Sequence, residues 1–155
     1  MMTQLTSGVL GFLMFPLNYA ADSDVVGKEL LALEGKWKLV RIVKGGHEVP
    51  LGASQVITAW LRADGTVTAR IPAGKIAATV APNPTGDPKT IEIRHESGRY
   101  QGRRQYAFYK LQGDRLTVIA VKPGAPKEAL QGDFADTQSN ALLLVFERTK
   151  DRKNP

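Results

Sequence analysis

Short apolar segments with a two-residue period fill the chain from residue 35 onwards, and turn residues separate them. In GKWKLVRIV, the first of these segments, we expect Trp37, Leu39 and Val43 on one face and Lys36 and Lys38 on the other. Eight such segments span residues 35–43, 55–62, 66–72, 75–80, 89–95, 103–111, 115–121 and 141–149. Most connections are short and carry turn residues, so the segments are predicted to pair as antiparallel hairpins.

One helix is predicted before the first strand. The sequence DSD at 22–24 consists of helix-capping residue types, and Val26, Leu30 and Leu33 follow at the spacing of one helical face. Gly35 can end this helix. The strand pattern fits an antiparallel sandwich or a barrel. We predict an all-β fold, an eight-stranded antiparallel up-and-down barrel with a short N-terminal helix.

The composition limits the chemistry that the chain can perform. Its 155 residues form one domain by the usual size rule and contain no cysteine, which excludes disulfides, thiolate ligands and cysteine nucleophiles. No G-x-S-x-G motif and no phosphate-binding glycine loop occurs. A zinc-protease H-E-x-x-H starting at His47 fails because Leu51 stands at the second histidine position. We therefore expect no catalytic residues, no metal and no cofactor.

The N-terminal residues 1–21 carry no charged side chain and include the apolar run VLGFLMFPL at 9–17. A membrane-spanning helix needs about 20 apolar residues, so no transmembrane segment is predicted. The run fits the apolar part of a signal peptide, with cleavage expected after Ala20 or Ala21. A disordered or core-packed N-terminal segment, or a misassigned start codon, is the alternative. We predict a signal peptide over 1–21, a domain over 22–150, a frayed tail over 151–155, and a secreted or periplasmic location.

A Gly-x-Trp motif opens the first strand, and a basic residue lies on the last one. Gly35 and Trp37 form the motif, and Arg148, or Lys150 two positions later, supplies the basic side chain. This combination resembles the signature of the lipocalin/calycin superfamily. The resemblance implies that Arg148 lies across the Trp37 ring and closes one barrel end. A guanidinium over an indole face contributes roughly 0.5–2 kcal/mol.

Longer blocks in a fixed order are similar to one particular family. The blocks read LEGKWKLVRIVKGGHEVP, DPKTIEI, YKLQGDRLTV, KPGAPKEALQGDF and LLLVFERTK, and they cover nearly all of residues 30–150. They resemble a family of small, uncharacterised lipocalin-like proteins that is expanded in planctomycete bacteria and whose members often carry secretion signals. That family implies no activity and no catalytic residues. The strand LTVIAV lacks the cysteine often found there, which argues against a thiol-dependent role.

Aromatic and aliphatic strand residues are the candidates for lining a pocket inside the barrel. They are Trp60, Ile91, Ile93, His95, Tyr106 and Phe108. His95 shares the parity of Ile91 and Ile93, so it is expected inward near a strand end, where a hydrogen bond is favoured over haem or metal ligation. His95 and Tyr106 would be the polar anchors of the pocket. A fully packed interior uses the same residues, so an open and a filled barrel both fit the sequence.

Basic residues cluster around one predicted turn. Arg94, His95, Arg99, Arg103 and Arg104 lie there, with Tyr100 and Tyr106 between them. The formal net charge is +6, yet the 15 acidic residues are interspersed with the 21 Lys and Arg and no nucleic-acid module is present. Nucleic acid is therefore not an expected partner. A solvated basic face explains the cluster, and attraction to anionic envelope polymers or headgroups is the functional alternative.

Two functions fit these observations best. The first is a secreted, non-catalytic lipocalin-like protein that binds a small apolar or amphipathic molecule in a cavity of a few hundred cubic ångströms. The second is a protein- or envelope-interaction module with a filled barrel and a basic surface, whose binding falls with added salt. An enzyme would require two carboxylates, or His95 and a carboxylate, in one cleft.

Overall fold

The computed structural model describes residues 23–131 and 141–150. Helix α1 spans residues 23–33, and a short 3-10 helix spans Lys127–Ala129. The strands are β1 (Gly35–Lys44), β2 (His47–Val49), β3 (Thr58–Leu61), β4 (Thr66–Ile71), β5 (Gly74–Asn83), β6 (Lys89–His95), β7 (Arg104–Gln112), β8 (Arg115–Val121) and β9 (Ala141–Arg148). The predicted signal peptide over 1–21 and the predicted tail over 151–155 lie outside the described residues.

The strands close into a barrel. Each strand from β3 to β9 pairs antiparallel with the next along the chain, and β1 pairs with β3 on one edge and with β9 on the other. Eight strands, β1 and β3 to β9, thereby form a ring in which hydrogen bonding leaves no free sheet edge. This confirms the predicted eight-stranded antiparallel up-and-down barrel with a short N-terminal helix.

A ninth strand lies in the connection after β1, where the sequence predicted an irregular segment. Gly45 and Gly46 form a two-residue turn with φ values of 57° and 79°, and β2 folds back onto residues 42–44. Two consecutive residues at positive φ match the twist of a tight hairpin, and glycine adopts this conformation without steric cost. The Gly-Gly pair was therefore a hairpin signal that the sequence analysis missed.

Strand β5 also runs further than predicted and includes Pro82. The backbone N–H of Val80 donates to the carbonyl of Gly65, so the nitrogen of Pro82, two residues on, faces the same side of the strand. The pairing of β4 with β5 ends at Thr79. The nitrogen of Pro82 therefore lies on the β4 side of the strand, beyond the last β4–β5 pair, where its missing N–H removes no ladder hydrogen bond.

A β-bulge between Leu39 and Arg41 reverses the alternation of β1. Leu39 lies opposite Phe146 before the bulge, and Val43 lies opposite Leu143 after it. The expectation that Trp37, Leu39 and Val43 share a face is therefore wrong for Val43. Val43 is buried in a separate cluster with Ile119, Leu143 and Val145 on the outer side of the barrel wall.

Strand β8 is buried on both faces, because the outer cluster covers its outer side. Val118 and Ala120 belong to the cluster inside the barrel, and Ile119, between them, belongs to the outer cluster. A strand that is buried on both sides reads as a continuous apolar run rather than an alternating one. The sequence LTVIAV shows that run.

Trp37 is the centre of the interior cluster at the barrel end covered by α1, called here the helix end. Its side chain is 1% exposed, and its indole N–H donates to the carbonyl of Leu33 at 2.9 Å. Leu33, the last residue of α1, is itself 1% exposed and packs in the same cluster. The position of α1 is thus tied to β1, because the carbonyl at the C-terminus of the helix is the acceptor that the buried indole N–H needs.

Arg148 completes this closure. Its guanidinium carbon lies 4.5 Å from the centroid of the Trp37 ring, so Arg148, not Lys150, makes the contact implied by the resemblance. Its two terminal nitrogens donate to the carbonyls of Ala32 (2.8 Å) and Glu34. These are carbonyls at the C-terminus of α1, where the helix leaves acceptors unsatisfied and favours a positive charge.

Gly35 links α1 to β1 under two constraints. Its φ is 139°, a conformation that L-residues with a side chain rarely adopt. A Cβ at this position would lie 3.2 Å from a terminal nitrogen of Arg148. Glycine is therefore favoured in the Gly-x-Trp motif because the β1 backbone lies close to the arginine that covers the tryptophan.

Replacement of Arg148 tests how much this closure contributes to the free energy of unfolding. Arg148→Ala removes the cation–π contact and the charged hydrogen bonds to α1, and should lower the free energy of unfolding by about 2–4 kcal/mol. Arg115→Ala is the matched control, because Arg115 is exposed and pairs only with Glu147 on the surface, worth about 0.5 kcal/mol. Urea unfolding measures both. Equal losses in the two variants would contradict the assigned role.

Candidate functional site

A partly open, apolar cavity of about 160 Å³ lies inside the barrel. Its wall consists of inward-facing residues of the strands, most of them aliphatic. They include Leu61, Val67, Ile91, Ile93, Val118 and Leu144. The antiparallel register explains this set, because Leu61 lies opposite Val67 and Val118 lies opposite Leu144, so each pair brings two apolar side chains to the same face.

Small side chains create the empty space. Ala59 of β3, Ala78 of β5 and Ala120 of β8 occupy inward positions in the cavity wall. A methyl group at these positions leaves volume that a leucine or isoleucine would occupy. The void is therefore encoded by residue size at three inward positions and needs no departure from regular strand geometry.

The helix end of the cavity is closed by large side chains. Trp37, Phe146 and Leu33 line it there, and Arg148 lies over the outer face of the indole ring. Trp37 and Leu33 are each 1% exposed. Access along the barrel axis from this end would require displacement of α1 and Arg148.

Tyr109 also lines the cavity but directs its hydroxyl group towards α1. The phenol O–H donates to a Glu29 carboxylate oxygen at 2.7 Å, and the Lys89 ammonium lies 3.1 Å from the same oxygen. Burial first, then the hydrogen bond to Glu29 and the charge of that carboxylate, raise the pKa of Tyr109 above its ordinary value of 10.0. Tyr109 therefore presents its ring to the cavity and its polar atom to the helix.

The raised pKa of Tyr109 predicts a loss of stability in alkali. Above pH 10 the unfolded chain releases the phenol proton while the folded protein retains it, so the free energy of unfolding falls as pH rises. The contribution of one group is at most about 1.4 kcal/mol per pH unit. Tyr109→Phe should remove this part of the slope, whereas Tyr100→Phe should keep it. Urea unfolding at increasing pH gives both slopes, and identical slopes for wild type and Tyr109→Phe would contradict the assignment.

The opposite end, called here the hairpin end, is formed by the β6–β7 hairpin and the residues after β8. Gln105 is the polar residue that lines the cavity at this end. Its amide nitrogen donates to the carbonyl of Val121 at 2.9 Å, and its amide oxygen lies 2.9 Å from Nε2 of His95. The His95 ring in turn lies 5.9 Å from the ring of Tyr100. Gln105 thus lines the apolar cavity while its amide group is hydrogen-bonded to His95 and to the Val121 carbonyl.

The predicted pocket residues divide into two groups. Ile91 and Ile93 line the cavity, whereas His95 does not line it and contacts the lining residue Gln105 instead. Trp60, Tyr106 and Phe108 do not line it, so the prediction is wrong for these three. The inward positions of their strands are taken by Ala59 and Leu61 in β3 and by Gln105, Ala107 and Tyr109 in β7.

A sequence signal for the correct orientation was present. Tyr106 and Phe108 share their strand face with Arg104 and Lys110, both of which are exposed. Trp60 lies opposite Lys36 in the β1–β3 pairing. Charged neighbours on the same face indicate the outer side of a barrel, and the aromatic character of the three residues does not outweigh that pattern.

Gln105 and Tyr109 are site residues that the sequence analysis did not single out. Both lie on β7 at the parity of Ala107, which is 0% exposed. An alanine flanked by large residues of the same parity is the signal that could have identified this face. Glu29, the partner of Tyr109, lies 80 positions away in the sequence and could not be paired from sequence, whereas His95, the partner of Gln105, lies on the other strand of the same hairpin.

The other ionisable groups do not form a metal centre. In the ranges 23–131 and 141–150, no group of three or more His, Asp or Glu side chains is arranged to hold a metal ion. His47 is exposed on β2. Among the residues that the structure describes, no helix has both the length and the apolar character needed to cross a membrane.

The basic cluster lies at the hairpin end. Arg94, Arg99, Arg103 and Arg104 are exposed, and Arg104 pairs with Glu92 at 3.3 Å. The guanidinium of Arg99 lies 5.6 Å from the centroid of the Tyr100 ring. In the described part of the chain, no carboxylate forms an ion pair with Arg94, Arg99 or Arg103.

Comparison with known proteins identifies no relative of this chain. No protein-family model, no curated protein and no solved structure matches the chain. Function is therefore inferred from the cavity, the polar residues next to it and the surface charges.

Proposed function

We propose that this protein is a secreted, non-catalytic, lipocalin-like barrel that binds a small apolar or amphipathic molecule in its interior. The observation that supports the proposal is the cavity of about 160 Å³ with a nearly continuous apolar wall inside a closed barrel. Sites for small molecules are typically concave and apolar with few polar groups, and Gln105 is such a group here. The secreted location rests on the sequence of residues 1–21, which lie outside the described residues.

The volume limits the size of the ligand. It is below the few hundred cubic ångströms that the sequence analysis expected and below the roughly 300–1,000 Å³ of most ligand sites. A dry apolar cavity of about 150 Å³ accommodates benzene or xenon. The ligand that fits without rearrangement of the wall is therefore about the size of a single aromatic ring.

Filling the cavity tests this proposal. Ala78→Ile adds three carbons at a cavity-lining position, so it should abolish binding of benzene. Ala81→Ile is the matched control, because Ala81 lies in the same strand but is exposed. In wild type and in the control, benzene at a hundred times its Kd should stabilise the fold by about 2.7 kcal/mol, which a rise in Tm measures. No benzene-dependent rise in wild type, or an equal rise in both variants, would contradict cavity binding.

The exposed arginines support a second candidate, interaction with an anionic envelope polymer. Arg94 and Arg99 are exposed and have no ion-pair partner among the described residues. Such cations attract a polyanion, and salt screens the attraction.

Exchange of these arginines tests the second candidate. An Arg94→Gln and Arg99→Gln double variant should elute from an immobilised polyanion at lower salt than wild type. The control exchanges Arg41 and Arg115, which pair with Glu48 and Glu147 and carry the same total charge. Equal elution of the two double variants would show that net charge alone governs retention and would contradict a specific surface.

A further inference from the structure

Two cationic or ionisable side chains extend the inward-facing row beyond Gln105. In the β6–β7 ladder, Ile93 lies opposite Gln105, and both line the cavity. The next positions of the same parity towards the hairpin end are His95 and Arg103. Their backbones are paired, since the N–H of His95 donates to the carbonyl of Arg103 at 3.0 Å. Because alternate residues of paired strands share a face, His95 and Arg103 lie on the same side of the hairpin as Ile93 and Gln105, one position beyond the cavity wall.

No described residue accepts a hydrogen bond from the side chain of Arg103. Gln105 is already bonded at both its amide oxygen and its amide nitrogen, and His95 is bonded to Gln105. Arg103 is exposed and forms no ion pair with the described residues. Its guanidinium lies against the backbone at Gly124, where a Cβ would be 3.3 Å from a terminal nitrogen. The guanidinium of Arg103 therefore carries donors that no described residue uses, on the same face of the hairpin as Gln105.

Among the described residues, the helix end and the β6–β7 hairpin differ in charge. At the helix end, the acidic groups Glu29 and Asp114 lie close to Lys89 and Arg148. In the hairpin at the other end, Arg99 and Arg103 accompany a single acid, Glu96, which accepts a hydrogen bond from the Thr79 hydroxyl. An anion is therefore favoured at the hairpin end and a neutral apolar group in the interior.

We propose that the ligand is a small amphipathic anion, such as an aromatic carboxylate. Its ring occupies the apolar cavity and its carboxylate is bound by Arg103 at the hairpin end. The planar guanidinium can donate two parallel hydrogen bonds to a carboxylate, which a neutral amide side chain cannot match. This inference rests on the proposed function, because it places the apolar part of the ligand in the same cavity.

Three probes of equal ring size test the charge preference. Benzoate, benzamide and benzylammonium place an anion, a neutral group and a cation on the same ring. Isothermal titration at low salt should give a Kd for benzoate about tenfold below that for benzamide, and benzylammonium should bind most weakly. Arg103→Gln should remove the preference for benzoate and leave the Kd for benzamide unchanged. Arg115→Gln, which removes the same charge at a surface ion pair, should keep the preference.

The outcomes separate this inference from the proposed function. Binding of benzamide as tightly as benzoate, or an unchanged preference in Arg103→Gln, would overturn the anionic ligand while cavity binding remains. Binding of no probe, or benzoate binding that persists in Ala78→Ile, would overturn the proposed function itself. Circular dichroism of Arg103→Gln checks its fold, and because Arg103 is exposed the variant should be as stable as wild type.

Discussion

The contact of Arg148 with Trp37 is the interaction on which the rest of the fold depends. It joins the last strand to the first across the seam where the sheet closes, and the same guanidinium binds the C-terminal carbonyls of α1. One side chain therefore contributes both to closure of the barrel and to docking of the helix. The indole that is covered on its outer side by Arg148 also forms one end of the cavity, so the seam and the site share a residue.

The cavity follows from this closure together with three alanines. Trp37, Leu33 and Phe146 fill the helix end, and small residues at Ala59, Ala78 and Ala120 leave the middle of the barrel empty. A packed protein interior normally has few voids larger than a water molecule, and an apolar void costs stability in proportion to its volume. A cavity of about 160 Å³ thus lowers the free energy of unfolding, and a ligand bound in it would raise that free energy again.

Periodicity predicted the strands and the barrel, because alternation along a strand is a local property. The Trp37–Arg148 contact was predicted from the resemblance in two short motifs. The orientation of Trp60, Tyr106 and Phe108 was predicted wrongly, since aromatic character was given more weight than the lysines and arginines on the same faces. The face of Val43 could not be deduced, because a bulge inserts one residue without a local sequence mark. The pair Tyr109–Glu29 could not be deduced either, because it joins β7 to the helix 80 positions earlier in the sequence.

The cavity has Gln105 at one end and Trp37 at the other. Its existence can be observed directly. A crystal structure determined under xenon pressure should show bound xenon inside the barrel, in contact with Ile93, Val118 and Leu144, because a dry apolar void of this size takes up the gas. Side chains that fill the barrel, with no xenon peak between these three residues, would contradict the cavity and the ligand site derived from it.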